Sequence, residues 1–593
     1  MAEGFLARYN EELAALRQRA SRFAESFPKI AGRLRMTGEV VDDPHVERLI
    51  QSFAYSAARV RQKLDDEFPE LTDSMLETLY PHYLAPLPSM SVVQFEPSKT
   101  LAGEQRIPRH TEILTEAIGG ESCRFRTTQD VNIAPVELAE AKLMGQPIDA
   151  PASPFGGVTG CLRLSVRSLD PRRSLSSIGL SGLTFHITAP WQQAISIHEL
   201  LCNHTVGIAL ARHSGDTAPL YLRPSQLRPL GFDASQSMLP YPAPSFEGYR
   251  LLTEFFALPQ KYLFFQIDGL QNWREDVLEI FVYLEQANPK LERTVSKQDF
   301  ALHATPVVNL FRRSCEPVAI DGARTEYRLV ADARRQKTRE IYGVERVVLT
   351  DARGQQETSR PFFGQSHRTE ATTTFWQTYR RFEEEDGTSD TDIAFIDRHR
   401  RYASPVGTVA SIEALCLNRE LPEQLPFGGG HPHLQLASGH EAVGAAKALI
   451  PPTSSVRMND QQGRSWRLIS HLLLNHLSLT DGNGGALKDI LSLYAFRDSP
   501  ETRQFAEAII SVDAQPSLAR MPQGSMVPGT DITITFDPNV IDDAAAYLFA
   551  SVLDRFLGLY TSINSFTRLT ARMRGKNEPI ARWPARAAER PLL

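Results

Sequence analysis

Over residues 1–90 the apolar positions recur at steps of three and four. Phe5, Tyr9, Leu13, Leu16, Ala20, Phe23 and Phe27 share one stripe of a helix that Pro28 ends. A second helix is predicted from Asp43, a good N-cap, with Pro44 at the first helical position. Its seam is Val46, Leu49, Ile50, Phe53, Ala57, Val60 and Leu64, and it runs to about Glu67. Glu47, Arg48, Arg59, Gln62 and Lys63 take the other face. A shorter helix is predicted from about Thr72 to Tyr80, where Pro81 stops it. Such stripes serve an autonomous bundle or one half of a bundle that another chain completes, and the pattern leaves both open.

From Ser91 the period changes to two. SVVQFEP, CRFRTTQDV, CLRLSVRSL, LTFHITA and EIFVYLE read as half-buried strands. Irregular connections separate them, one rich in proline at 224–244, another, LPEQLPFGGGHPHL at 421–434, with a triple glycine. These breaks suggest a helical arm over 1–90, a β-rich domain over 91–240, a mixed α/β domain over 241–425 and a mixed C-terminal domain with a basic tail over 426–593. The expected fold class is therefore α+β and multidomain: N-terminal amphipathic helices, then mixed, β-rich middle and C-terminal domains. Strands and helices do not alternate regularly, which argues against a doubly wound sheet.

Two blocks stand out. In GYRLLTEFFALPQKYLFFQI, residues 248–267, Tyr249, Leu252, Phe255 and Phe256 share a helix face, and a buried strand is expected from Lys261. Such aromatic density belongs to a large core or to a protein interface. Further on, DITITFDP alternates as a strand. Asp542 or Asp543 then caps a helix to about Tyr560, with Leu548, Val552, Phe556 and Leu559 on one face. From Arg568 the chain is basic, which reads as a solvated tail or a dock for an acidic partner.

Composition narrows the class. The chain has 593 residues, enough for several domains. Its net charge of −6 carries no global nucleic-acid footprint, so nucleic-acid binding through the basic tail is only an alternative reading. Five scattered cysteines lack zinc-ribbon or CxxC spacing and suit a reducing compartment. The N-terminus has early acids and no apolar core, unlike a signal peptide, and AAAYLFASVL is about half of what spans a bilayer. The expectation is a cytoplasmic protein with no membrane insertion.

Candidate chemistry consists of near misses. HELLCNH, from His198, has cysteine where a zinc-protease helix needs its second histidine. His471 and His476 are five apart, wrong for one helix face. DGNGGALKD lacks the Lys-Ser/Thr end of a phosphate loop and reads as a turn plus N-cap. EEED at 383–386 reads as a solvated loop. His431 and His433 could share a side of an extended segment, which leaves a metal-dependent hydrolase as an alternative, but no third ligand is specified. In YPHYLAPLPSM, at 80–90, His82 has no partner at ligand spacing. Pro81, Pro86 and Pro88 suggest a rigid joint that fixes the angle between helical arm and β-rich body. No catalytic, cofactor or metal set is expected, and the chain reads as a non-enzyme.

Seven stretches taken together resemble the TssF family, baseplate subunits of the bacterial type VI secretion system. They are FPKIAGRL (27–34), the long block DPHVERLIQSF…YPHYLAPLPSMSVVQF (43–95), GYRLLTEFFALPQKYLFF (248–265), PVVNLFRR (306–313), LCLNRELPEQLPFG (415–428), WRLISHLLLNHLSL (466–479) and YLFASVLDRFLGLYTSINSFTRL (547–569). The resemblance implies a structural wedge protein similar to those of contractile phage baseplates, with no cofactor. It implies that two copies pair with one TssG around the central spike protein, and that TssE and TssK attach, TssK linking to the inner-membrane complex. Within that frame Leu13, Leu16, Leu49, Phe53 and Val60 are the candidate partner-interface residues, expected to join partner helices in a short bundle.

Overall fold

The computed structural model describes residues 2–33, 36–37, 40–41, 43–65, 75–77, 79–241, 245–362, 374–383, 388–397, 407–457, 484–496, 500–520, 526–561 and 565–587. Of the predicted helix over 72–80, residues 75–77 and 79 are helical, and 72–74 and 78 lie outside the described residues, as do the stretch 466–479, His471, His476 and most of EEED. By its contacts the chain divides into two units, with the break after Thr78.

The first unit is helical. Helix α1 spans Ala2–Ser26, α2 spans Pro28–Arg33 and α3 spans Pro44–Asp65. Asp43 begins α3 as expected, its carboxylate accepting the His45 amide at 2.8 Å. Arg17 of α1 pairs with Glu47 of α3, and Gln51 donates to the same carboxylate at 3.1 Å. Glu47, Gln51, Ala54 and Ala58 follow one another at steps of three and four, so they form one stripe. Ala54 and Ala58 on it are fully buried. The inward face of α3 is therefore polar and small, and the expected seam divides. Val46, Ile50 and Ala57 are half-buried, whereas Leu49, Phe53 and Val60 face outward.

The second unit is β-rich. A closed six-stranded barrel runs in the order Ala304–Val308, Met90–Pro97, Val443–Ala448, Leu434–Leu436, Glu112–Ile118, Glu121–Thr127. Val93, Phe95, Ile113, Cys123, Phe125 and Val307 fill it. The barrel thus draws strands from all three segments 91–240, 241–425 and 426–593. Strand pairing is long-range, so composition breaks at 240 and 425 do not delimit it. A second, five-stranded sheet places Leu278–Leu284 between Thr205–Ala211 and Gly160–Ser168, with every residue of the central strand buried.

The aromatic block 248–267 is core. Helix Gly248–Ala257 is buried throughout. A 3-10 turn, Pro259–Tyr262, follows, and the strand starts at Phe264, so Lys261 belongs to the turn and not to a strand. Lys261 reaches back to Glu254, which also accepts Arg250 at 3.1 Å and the Met238 and Leu239 amides at 2.8 and 3.0 Å. Burial opposes ionisation of Glu254, but the charges of Lys261 and Arg250 override it and hold its carboxyl below the usual range.

Asp542 caps the helix Asp543–Leu559 through the Ala545 amide at 2.8 Å. That helix crosses between two parallel strands, Met526–Phe536 and Phe566–Met573, and is buried on nearly all sides instead of one. Phe549 stacks on Phe255 with ring centroids 5.4 Å apart. The basic run, expected as a solvated tail or a dock for an acidic partner, is folded as far as Ala587. Arg568 sits in a strand and holds Asp531 at 2.8 Å, and Arg586 pairs with the buried Asp554. Buried carboxylates need cationic partners, and part of the basic excess supplies them.

Candidate interaction surfaces

In the helical unit the exposed apolar residues converge. Leu49, Phe53 and Val60 are 70%, 65% and 61% exposed. Steps of four and seven put them on one side of α3, with exposed Ser56 between Phe53 and Val60. Leu16, Ala20 and Phe23 of α1 face Val46, Leu49, Ile50 and Phe53 across a groove of about 570 Å³. Leu13 and Leu16 are half-buried. Four of the five candidate residues, Leu16, Leu49, Phe53 and Val60, therefore lie in this groove or on the exposed side of α3. A run of large apolar side chains in water is costly unless something covers it.

The YPHYLAPLPSM stretch belongs to the second unit. Pro81 opens a short helix, Pro81–Leu84, at its first position. A ring without an N–H suits that place, so Pro81 starts a turn of helix as well as ending the preceding pattern. Pro86 and Pro88 are buried. Between them Leu87 pairs with Val456 (2.7 and 3.0 Å), and Met90 donates to Thr453 Oγ1 at 2.9 Å. The Tyr80 hydroxyl accepts the Phe246 amide at 2.9 Å. His82 lies against Tyr241, ring centroids 3.9 Å apart. Both its ring nitrogens are sealed from solvent with no hydrogen-bond partner among the described residues, and burial pushes its pKa down to about 3. A neutral imidazole so enclosed packs as an aromatic ring.

The metal-like motifs separate cleanly. His198 and Cys202 lie in the helix Trp191–Asn203, and the His198 ring is buried near Tyr547. Gly484 caps the helix Gly485–Tyr494 with φ of 63°, as a turn plus N-cap should. His431 and His433 do come together, and Glu116 joins them. Its carboxylate takes His431 Nδ1 at 2.9 and 3.0 Å. That hydrogen bond from His431 is the main cause holding the Glu116 carboxyl below its usual range. The sequence carries no signal for Glu116, which lies 315 residues from His431, on the strand Glu112–Ile118.

Residues 1–590 match the family described as "Type VI secretion system, TssF". The chain belongs to that family. A relative in Pseudomonas aeruginosa strain PAO1, the "Type VI secretion system component TssF1", is 32% identical over 620 residues, covering 99% of each chain. Among solved structures, a chain of the TssK-TssF-TssG baseplate subcomplex superposes with a TM-score of 0.76 at 25% identity, covering 92% of this chain and 99% of that one. A chain of the type VI secretion baseplate complex has the same fold, with a TM-score of 0.64 at 23% identity over 99% of this chain and all of that one. The TssF family is a structural component of the baseplate, and the β-rich multidomain fold is the family's fold.

Proposed function

We propose that this chain is the scaffold of a baseplate wedge, in which two copies assemble with one TssG around the spike and TssK and TssE attach. The observation that carries the reading is the exposed side of α3, Leu49, Phe53 and Val60, together with the α1–α3 groove. Burying a leucine or phenylalanine side chain fully is worth about 1.5–3 kcal/mol, so helices of TssG or of a second copy laid along this face gain several such terms. The solved TssK-TssF-TssG subcomplex supports TssG and TssK as the first partners. We place the assembly in the cytoplasm, at a baseplate docked to the inner membrane; among the described residues no helix is long and apolar enough to cross a membrane.

The mechanism is mechanical. Wedge contacts hold the ring closed, and an interface with two arrangements a few kcal/mol apart couples baseplate change to sheath contraction. No catalytic step is proposed. Co-expression with the cognate TssG, followed by mass measurement of the purified complex, tests the reading. Two copies of this chain per TssG is the expected result. A chain that purifies alone and monomeric overturns it.

A further inference from the structure

We propose that Glu116, His431 and His433 form a zinc site that staples the Gly428–His433 turn to the barrel strand Glu112–Ile118. The site is independent of wedge assembly, and no reaction is attached to it. One donor atom from each residue lies within 4.8 Å of the other two. The two imidazole rings are 4.4 Å apart between centroids.

The backbone holds the three residues in register. The Glu116 amide donates to the His433 carbonyl at 2.9 Å, and the next residue, Leu434, pairs with Thr115 in the barrel ladder. Upstream, Gly428 and His431 exchange hydrogen bonds at 3.2 and 3.1 Å. Gly428, Gly429 and Gly430 all have positive φ (98°, 62° and 94°), which lets the chain double back and bring His431 over the strand.

Two imidazoles and a carboxylate are a donor set that zinc takes readily, with a fourth position left for water. Zinc bonds of about 2.0–2.2 Å put tetrahedral donor atoms about 3.4 Å apart. The Glu116–His431 pair already sits at 2.9 Å, and the exposed His433 side chain closes the rest by rotation. A solvent-accessible Glu116–His431 hydrogen bond alone contributes little and gives His433 no part. The placement of His433 is what separates a metal site from that pair.

The test uses the full chain, stripped with a chelator and dialysed against zinc. About one zinc per chain is expected by elemental analysis. His433→Ala and Glu116→Gln should each weaken zinc binding about tenfold or more, while melting in chelator stays that of the parent. Zinc should also slow amide exchange in the 428–433 turn of the parent but not of His433→Ala. Zinc retained equally by parent and both variants overturns the proposal, as does a parent that retains none. Irving–Williams ordering makes copper a tighter competitor, so the dialysis excludes it.

Discussion

The Tyr249 ring lies flat on the Tyr494 ring, centroids 4.8 Å apart and planes 12° from parallel. Tyr249 also meets Tyr560 hydroxyl to hydroxyl, and Phe246 and Phe556 close around it. One residue of the helix Gly248–Ala257 thereby ties together the helices Gly485–Tyr494 and Asp543–Leu559. Tyr249→Ala leaves a buried cavity and an unpaired hydroxyl at Tyr560. The expected cost is about 3–5 kcal/mol, read as a lower melting temperature of the full chain. Tyr494→Phe, which keeps the stack, should cost far less. Equal losses for the two would show that the stack contributes little.

Leu49 and Phe53 should separate assembly from folding. Both are largely exposed, so Leu49→Asp with Phe53→Asp is expected to leave the melting curve within about 0.5 kcal/mol of the parent per residue. The same double variant should fail to co-purify with TssG. If instead the helical signal of the chain collapses, these side chains serve an internal core and the docking face is lost.

Pro86 and Pro88 are expected to matter for folding first. They are buried beside the Leu87–Val456 pairing, and glycine at either place frees the unfolded chain and removes packed atoms. Pro86→Gly with Pro88→Gly should destabilise by about 1–3 kcal/mol in urea unfolding. A parent-like unfolding midpoint would leave the prolines no part in holding this stretch.

Acid should loosen the second unit. Burial holds His82 near a pKa of about 3 and His186, His198 and His303 near about 4. Unfolded, each titrates near about 6.5. Between those values the unfolded chain binds more protons than the folded one, so stability is full above pH of about 6.5 and falls as pH drops toward about 4. His82→Phe removes one such proton, and its melting temperature should fall less steeply from pH 7 to pH 5 than the parent's. An unchanged slope would mean that His82 is protonated in the folded state.

The readable parts were those whose cause is local. The caps at Asp43 and Asp542, the prolines at 28 and 44, and the alternation in Gly160–Ser168 and Leu278–Leu284 all act within a few residues, and the elements stand where they were expected. Lys261 lies in a 3-10 turn and not in the expected strand because a helix, a 3-10 turn and a strand follow one another within a single apolar block, and hydropathy alone cannot divide them. The basic C-terminal run leaves a solvated tail and a dock for an acidic partner both open in the sequence because two of its acidic partners, Asp531 and Asp554, are remote along the chain.

By itself, the sequence determined the family, the helical start, the β-rich body and which residues are apolar enough to need cover. Only the tertiary structure decided where that cover is missing. Leu49 and Ala54 belong to the same helix, yet contact with α1 favours the small and polar stripe and turns the large residues outward. The tertiary structure alone also joined strands from 90–97, 304–308 and 443–448 into one barrel and brought Glu116 to His431. Helix periodicity is set by neighbours along the chain, whereas barrel closure and convergent side chains depend on pairings hundreds of residues apart, which no local pattern encodes.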